Sequence, residues 1–223
     1  MLELVDDVDI SVAVYGIGLV KQLLRHQVVP DNDLRSLYDL LFDNPPEIRR
    51  ATGALVYDHV IAQKFNGLES RLSGDEGDTS RINLLRMLQM LRELSTDQVQ
   101  VLYVIDDIWE FMDAMKDWNR IMSTLLNEDL SIELTDEDAT NLTRLFCASV
   151  KKAVGEEIVP GADHRKQNHT KAQLVVEIIQ NRRKDITATV MKNYPQLMEV
   201  FAEVGDLSLK RVLLGGQKFS FQI

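Results

Sequence analysis

The sequence has few of the residues that mark disulfide-bonded, membrane-spanning or catalytic proteins. Its 223 residues contain one cysteine, Cys147, so no disulfide framework can form within the chain. No apolar run approaches the ~20 residues needed to cross a bilayer. The first ten residues, MLELVDDVDI, are acidic where a signal peptide would be basic and then apolar. We therefore expect an intracellular chain without a membrane segment.

Reactive side chains are also sparse and poorly grouped. Cys147 lies in the helical pattern NLTRLFCASV, which favours a buried structural thiol over a nucleophile. His164 and His169 stand in a polar segment without a third ligand, so we expect no metal site. The sequence YGIG at residues 15–18 lies inside a helical pattern rather than after a strand, which favours close helix packing over a phosphate loop. We predict no catalytic, cofactor-binding or metal-binding residue, and therefore no enzyme.

Acidic and basic residues are distributed unevenly along the chain. Residues 1–143 hold 12 Lys and Arg against 27 Asp and Glu, whereas residues 144–192 hold 10 against 5. Such asymmetry indicates interaction surfaces of opposite sign. The basic side chains of the second segment are candidates for weak, sequence-independent contact with duplex DNA, and an ordinary solvated helix surface explains them equally well. The candidates are Lys151, Lys152, Arg165, Lys166, Lys171, Arg182, Arg183 and Lys184.

Apolar residues recur at three- and four-residue spacing along almost the whole chain, which predicts an all-α fold of about nine helices. Clusters of Pro, Gly, Asn, Asp and Ser separate the helices. Asp97 and Thr135, the latter with Asp138, are expected to cap the helices that follow them. We expect a helical section over residues 1–204, with loops near residues 66–80, 127–136 and 155–168, and a divergent, poorly ordered tail over residues 205–223.

The richest group of aromatic and methionine side chains lies in the sequence IWEFMDAMKDW, residues 108–118. At helical spacing such residues belong more often to a core than to a groove for a partner. The members of this group are Trp109, Phe111, Met112, Met115 and Trp118.

Two prolines interrupt the helical stretch LYDLLFDNPPEIRRATGALVYDHV, residues 37–60. Because proline suits the first turn of a helix, Pro45 or Pro46 predicts the start of a second helix, with Asn44 as its cap. Asp43, Ile48 and Arg49 complete the pattern Asp-x-x-Pro-x-Ile-Arg, which resembles the turn of a HEAT repeat.

In HEAT repeats the Asp and Arg lie at the turn and can pair with neighbouring repeats. The resemblance therefore implies structural roles at the turn for Asp43, Pro45, Ile48 and Arg49. A weaker copy stands 36 residues upstream, where Asp7 precedes Val12 by five residues. Spacing of this size is typical of two-helix repeats that stack into a solenoid.

Longer strings resemble consecutive helices of the stromal-antigen subunit of cohesin, which acts in sister-chromatid cohesion. The strings are IGLVKQLLRHQ, LYDLLFDNPPEIRRATGALVYDHVIAQKFN, VIDDIWEFMDAMKDWNRIMSTLL and RKDITATVMKNYPQLMEVF. The resemblance runs from about Met1 to Phe201 and covers a middle section of that much longer family. It implies a curved, non-enzymatic HEAT scaffold in the nucleus that binds the kleisin subunit of cohesin, touches DNA and helps recruit loading and release factors.

Both ends of the chain depart from this family. The family's signature region, the stromalin conservative domain, lies just before the point where the chain begins, which puts recruitment of accessory regulators in doubt. The tail VGDLSLKRVLLGGQKFSFQI does not continue the family's helices. Two alternatives stay open: an unrelated HEAT adaptor of the transport or phosphatase-scaffold kind, and a helical enzyme with a pocket that gathers acid, base or nucleophile from separate helices.

Overall fold

The computed structural model describes residues 4–29, 34–42, 45–65, 76–94, 97–126, 134–159 and 169–203, without the side chains of residues 35, 76–78, 169–174 and 199–203. These ranges contain eight α-helices and no strand, which confirms the all-α prediction. No helix within them is long and apolar enough to cross a membrane. The helices are α1 Ile10–Arg25, α2 Arg35–Tyr38, α3 Pro46–Val56, α4 Glu76–Glu93, α5 Gln98–Ile108, α6 Trp118–Leu125, α7 Asp136–Ala153 and α8 His169–Glu203.

Three further segments are helical but not α. Residues Asp39–Leu41 and Asp113–Lys116 form 3-10 turns, and Tyr57–Ile61 form a π-helical turn that continues α3. The chain divides into two compact units. The first unit contains Met1–Ala114 and Glu157–Arg165, and the second contains Met115–Glu156 and Lys166–Ile223. The tail over residues 205–223 lies outside the described residues, as does Asp43.

Helix α3 is the central element of the first unit, since it contacts α1, α2 and α5. The core includes Ala13, Ile17 and Val20 of α1 and Ile48 and Leu55 of α3, all buried. Their spacing of three, four or seven residues within each helix follows the helical period, so one apolar face per helix enters the core. The apolar faces of α1 and α3 therefore form this core.

Helix α3 begins at the second of the two prolines, one of the two starts that the sequence analysis predicted. Pro45 holds the N-cap position in an extended conformation (φ −52°, ψ 142°), and Pro46 is the first helical residue. A residue before proline is disfavoured from the α-conformation, so Pro45 cannot join the helix that Pro46 opens. The prediction of a helix start at the prolines is confirmed, and the N-cap position is occupied by Pro45. Asn44, the expected cap, lies outside the described residues.

The capping predictions for α5 and α7 are confirmed. The Asp97 carboxylate accepts hydrogen bonds from the backbone N–H groups of Val99 and Gln100 at 2.9 and 3.3 Å. Thr135 and Asp138 form a reciprocal capping box at the start of α7. These oxygens satisfy N–H groups that have no partner within the helix.

The loop expected near residues 66–80 is too long, because α4 already begins at Glu76. Acidic residues are favourable in the first turn of a helix, where the dipole is positive, and Glu76 and Asp78 stand there. Acidic residues of this kind are typical of a loop, but they are equally typical of the first turn of a helix.

Two helices end with the same backbone motif. After α1, Gln27 adopts φ 54°, and the N–H of Val28 bonds the carbonyl of Leu23. After α7, Gly155 adopts φ +84°, and the N–H of Glu156 bonds the carbonyl of Lys151. Both ends are Schellman motifs, in which a residue in the left-handed conformation allows the last carbonyls to find partners.

The second unit is built from α6, α7 and α8, which contact one another. Trp118 and Phe146 meet edge to face with ring centroids 6.4 Å apart.

In the aromatic and methionine group, Trp109, Met112, Met115 and Trp118 are buried, which confirms their assignment to a core. Phe111 is half-buried, and so is Cys147, which the sequence analysis expected to be buried.

Candidate interaction surfaces

The predicted turn residue Arg49 lies in a buried ion cluster between α3 and α5. Its side chain is 4% exposed; Nε lies 3.4 Å from a carboxylate oxygen of Asp107, and a terminal nitrogen lies 3.8 Å from Asp106. The guanidinium also stacks over the Tyr103 ring at 4.6 Å from its centroid. A buried charge needs partners of opposite sign, and α5 supplies two carboxylates and an aromatic face. Arg49 thus links two helices of the first unit.

Gly53 allows α3 and α5 to approach closely near this cluster. A Cβ built on Gly53 would lie 2.6 Å from the backbone oxygen of Asp107, a distance that real Cβ atoms essentially never show. The neighbouring atom belongs to the backbone and cannot rotate away. Only glycine fits this crossing, and the sequence analysis did not single it out because nothing in the local pattern distinguishes a contact glycine from any other.

The π-helical turn Tyr57–Ile61 carries a second charged cluster. The Asp58 carboxylate lies 2.5 Å from Nζ of Lys21 on α1 and 2.8 Å from Nζ of Lys64. Burial alone would raise the pKa of Asp58, but hydrogen bonds and charge attraction from the two lysines outweigh it and lower the pKa below its usual value. Asp58 is therefore charged near neutral pH and holds the turn against α1.

Two further contacts fix the same turn. The Tyr38 hydroxyl and His59 Nδ1 share a hydrogen bond at 2.7 Å, and Arg86 of α4 donates to the backbone oxygen of Ile61 at 2.8 Å. π-helical turns often occur at functional sites. Here the described contacts give the turn an architectural role, since they join it to elements before and after it in the first unit.

The predicted basic residues that the structure describes do not share one face. Lys151 is exposed and Lys152 half-buried in the last turn of α7, where cations are favourable next to the negative end of the helix dipole. On α8, Arg182 is half-buried, whereas Arg183 and Lys184 are exposed.

Three consecutive helical residues point in directions about 100° apart. Arg182 lies at helical spacing from Ile186, Thr189 and Leu197, which are all buried, so it belongs to the packed side of α8. Lys184 points away from that side. Arg165 and Lys166 lie outside the described residues, and Lys171 lies in α8 with its side chain not described.

An open groove of about 610 Å³ runs between α6 and α8 in the second unit. Asn119 bridges the two helices by accepting a hydrogen bond from the Thr189 hydroxyl at 3.3 Å. A smaller groove of about 460 Å³ lies beside this contact. The polar side chains that line the larger groove are Asp117, Asn119, Arg120, Ser123, Lys192, Asn193 and Gln196. The sequence analysis missed this site, because its members come from two helices that are far apart in the chain.

Comparison with known proteins links the chain to a described family and to curated relatives. Residues 103–206 match the family described as Cohesin subunit SCC3/SA, HEAT-repeats domain. Sister-chromatid cohesion protein 3 of Arabidopsis thaliana is 60% identical over 202 residues, which cover 90% of this chain and 18% of that relative. The chain therefore spans less than a fifth of the length of the relative it matches. No solved structure matches the chain.

Helices packed through buried apolar faces, with a buried Arg–Asp cluster at the turn, define a helical-repeat protein of the HEAT type. The particular family follows from the two matches: the chain belongs to the SCC3/SA family of cohesin subunits. The resemblance noted in the sequence is confirmed.

Proposed function

We propose that this chain acts as a scaffold section of cohesin in sister-chromatid cohesion and chromosome segregation. The observation that carries the proposal is 60% identity over 202 residues to Sister-chromatid cohesion protein 3. Its activity is binding rather than catalysis, and its place is on chromosomes in the nucleus. The unrelated transport or phosphatase adaptor loses its support, since the family match covers residues 103–206 and the identity covers 90% of the chain.

The proposed partner is the kleisin subunit of cohesin, bound as an extended segment. The groove between α6 and α8 suits such a ligand, because its side-chain amides offer both donors and acceptors. An extended peptide presents one N–H and one C=O per residue, and Asn119 and Gln196 can meet them from opposite walls. Arg120 lies 3.9 Å from the Asp117 carboxylate, which also lines the groove, so Lys192 is the cation that favours an acidic residue in the segment.

Isothermal titration calorimetry with tiled kleisin peptides tests this proposal. The expected result is saturable binding of at least one peptide to the folded chain, weakened by the double change Asn119→Ala and Gln196→Ala. Gln22→Ala is the matched control, because Gln22 is an exposed amide on α1 in the first unit. Absence of binding by a chain with native circular dichroism would remove kleisin as the partner of this section. If the control and the groove variants lose the same affinity, the groove is excluded as the binding site, whereas kleisin is retained as the partner.

Duplex DNA is the second proposed partner, through weak contact with phosphates. Support comes from the excess of 10 Lys and Arg over 5 Asp and Glu in residues 144–192. The described side chains best placed for it are Lys151, Arg183 and Lys184, which are exposed. Contact with phosphates releases counterions, so affinity should fall by roughly 0.9 log unit per log unit of salt for each phosphate neutralised.

Fluorescence anisotropy with a labelled duplex tests this part of the proposal. Changing Lys151, Arg183 and Lys184 to Glu should lower both the affinity and the salt dependence. Arg182 is left unchanged, because its place on the packed side would confuse binding with folding. Arg92→Glu in the acidic segment is the control and should have less effect. Equal losses from both sets of changes would remove the basic segment as a DNA surface.

A further inference from the structure

The larger and the smaller groove between α6 and α8 adjoin, because Asp117, Asn119 and Lys192 line both of them. On the α8 side, the lining residues follow one another at helical spacing, so they share one face of the helix. They span eleven residue steps, which correspond to about 16.5 Å. The two grooves therefore form one continuous channel, which we call the α8 track. Its α8 residues are Asp185, Ala188, Thr189, Lys192, Asn193 and Gln196.

Two charged side chains of the α8 track, Asp185 and Lys192, are exposed and have no ion pair with any other described residue. The remaining charged side chains are already engaged. Asp117 caps α6 by accepting a hydrogen bond from the N–H of Arg120 at 3.0 Å, and it lies 3.9 Å from the Arg120 guanidinium. Lys116, on the edge of the smaller groove, takes part in another interaction. Asp185 and Lys192 are therefore the two charges that the track offers to a ligand.

The separation of these two charges determines which ligand spacing fits them. Asp185 and Lys192 are seven residues apart on α8, so they lie about 10.5 Å apart along the helix axis and differ by only about 20° around it. In an extended segment every second side chain points to the same side, and each residue advances by about 3.3 Å. Same-side residues are thus about 6.6 Å apart at a spacing of two and about 13 Å apart at a spacing of four. The spacing of four is the closer match.

Small side chains form the α8 wall between the two charges. Ala188 is exposed there, and Thr189 beside it is fixed because its hydroxyl donates to Asn119 Oδ1 at 3.3 Å. Trp118, which is only 8% exposed, lines the same part of the smaller groove. This part of the wall offers little to pair with a buried charge, so it suits a small or apolar side chain of the ligand.

We propose that the α8 track recognises the kleisin segment by a charge pattern: a basic residue lies beside Asp185, and an acidic residue four positions away lies beside Lys192. The residue midway between them faces Ala188. This inference rests on the proposed kleisin partner and adds the side chains that determine specificity within the groove. Two opposite charges at a fixed spacing also set the register of the segment, because a shift by two residues separates both ion pairs at once.

Charge scanning of the kleisin peptide that binds in calorimetry tests this pattern. Each position of the peptide is replaced in turn by Lys and by Glu, and the affinities for the unchanged chain are compared at low salt. We expect one position that prefers Lys and, four residues away, one that prefers Glu, each by about fivefold, the upper range for an exposed ion pair. Both preferences should shrink as the salt concentration rises, because salt screens exposed charges.

Reversing each charge of the protein should affect one position of the peptide. Lys192→Glu should invert the preference at the position that favours Glu, and Asp185→Lys should invert it at the position that favours Lys. Lys184→Glu and Glu177→Lys are the matched controls, since both side chains are exposed on α8. Each stands eight residues before the charge that it matches, about 80° around the helix. The controls should invert neither preference.

Circular dichroism should show native helix content for every variant. If a kleisin peptide binds but neither reversal changes the preferred charge, the pattern is overturned and kleisin is retained as the partner. Equal effects of the track variants and their controls also overturn the pattern, because they would reflect the total charge of the second unit. If no kleisin peptide binds the folded chain, the partner and the pattern are both overturned.

Discussion

Replacing Gly53 by alanine is expected to destabilise the first unit. At a helix position with free space around the glycine, the same change stabilises the helix. The added Cβ would lie 2.6 Å from the Asp107 oxygen, and ordinary contact begins at 3.4 Å. Relief of the clash therefore requires α3 and α5 to move apart locally by roughly 0.8 Å. That movement also lengthens the contact between Arg49 and Asp107, which already measures 3.4 Å.

The magnitude follows from two opposing effects. Alanine is favoured over glycine in a helix interior by about 1 kcal/mol. Forcing an extra methyl group into a packed contact costs about 1–3 kcal/mol. Gly18→Ala receives the first effect without the second, because nothing lies within 4 Å of its built Cβ. The difference between the two variants thus isolates the steric cost, and we expect Gly53→Ala to be less stable than Gly18→Ala by about 1–3 kcal/mol.

Urea unfolding gives the overall ranking of the two variants, and hydrogen exchange locates the effect. Because the chain has two units, unfolding need not be a single transition. Exchange should therefore be followed on peptides from α3 and α5, where Gly53→Ala should raise the rate and Gly18→Ala should not. If Gly53→Ala proves as stable as Gly18→Ala, the close crossing of α3 and α5 is wrong.

Three other changes probe separate features. Arg49→Met should lower the free energy of unfolding by about 3–5 kcal/mol, because buried carboxylates lose their cation. Adding Asp107→Asn should restore part of the lost stability, and chemical denaturation of the single and double variants measures both effects. Asp58→Asn should destabilise the chain at pH 7. Because the folded pKa of Asp58 lies below its usual value, thermal unfolding should show the stabilities of the two proteins converging as the pH falls through that folded pKa. Gln27→Gly should raise stability by up to about 1 kcal/mol, since the left-handed conformation of Gln27 is unfavourable for a residue with a side chain. Gln22→Gly inside α1 should lower stability, and calorimetric melting temperatures distinguish the two variants.

Local signals in the sequence predicted what depends on local structure. Asp97, Thr135 and Pro46 mark helix starts because each acts through its own side chain or ring on the adjacent backbone. The helical period of the apolar residues likewise predicted the all-α fold. The turn role of Arg49 was suggested by a motif, and its two carboxylate neighbours lie 57 and 58 residues later in the chain.

Features that depend on distant contacts were not predictable. The π-helical turn at Tyr57–Ile61 is held by Lys21 on α1 and Arg86 on α4, and no local pattern shows both. The basic segment had the right composition, but which of Arg182 and Lys184 faces the core depends on how α8 packs. The number of charged residues in a segment does not show which side of the helix each side chain faces. The role of Asp43 stays a prediction.

The π-helical turn also affects how this helix tolerates changes in chain length. A π turn contains one residue more than an α turn, so it holds an extra residue without lengthening the connections on either side. Removing one residue from Tyr57–Ile61 would restore α geometry locally and would change the direction of the side chains within the shortened turn, not of the residues beyond it. Asp58 would then no longer keep its position between Lys21 and Lys64. The same two lysines that stabilise the turn therefore constrain its length.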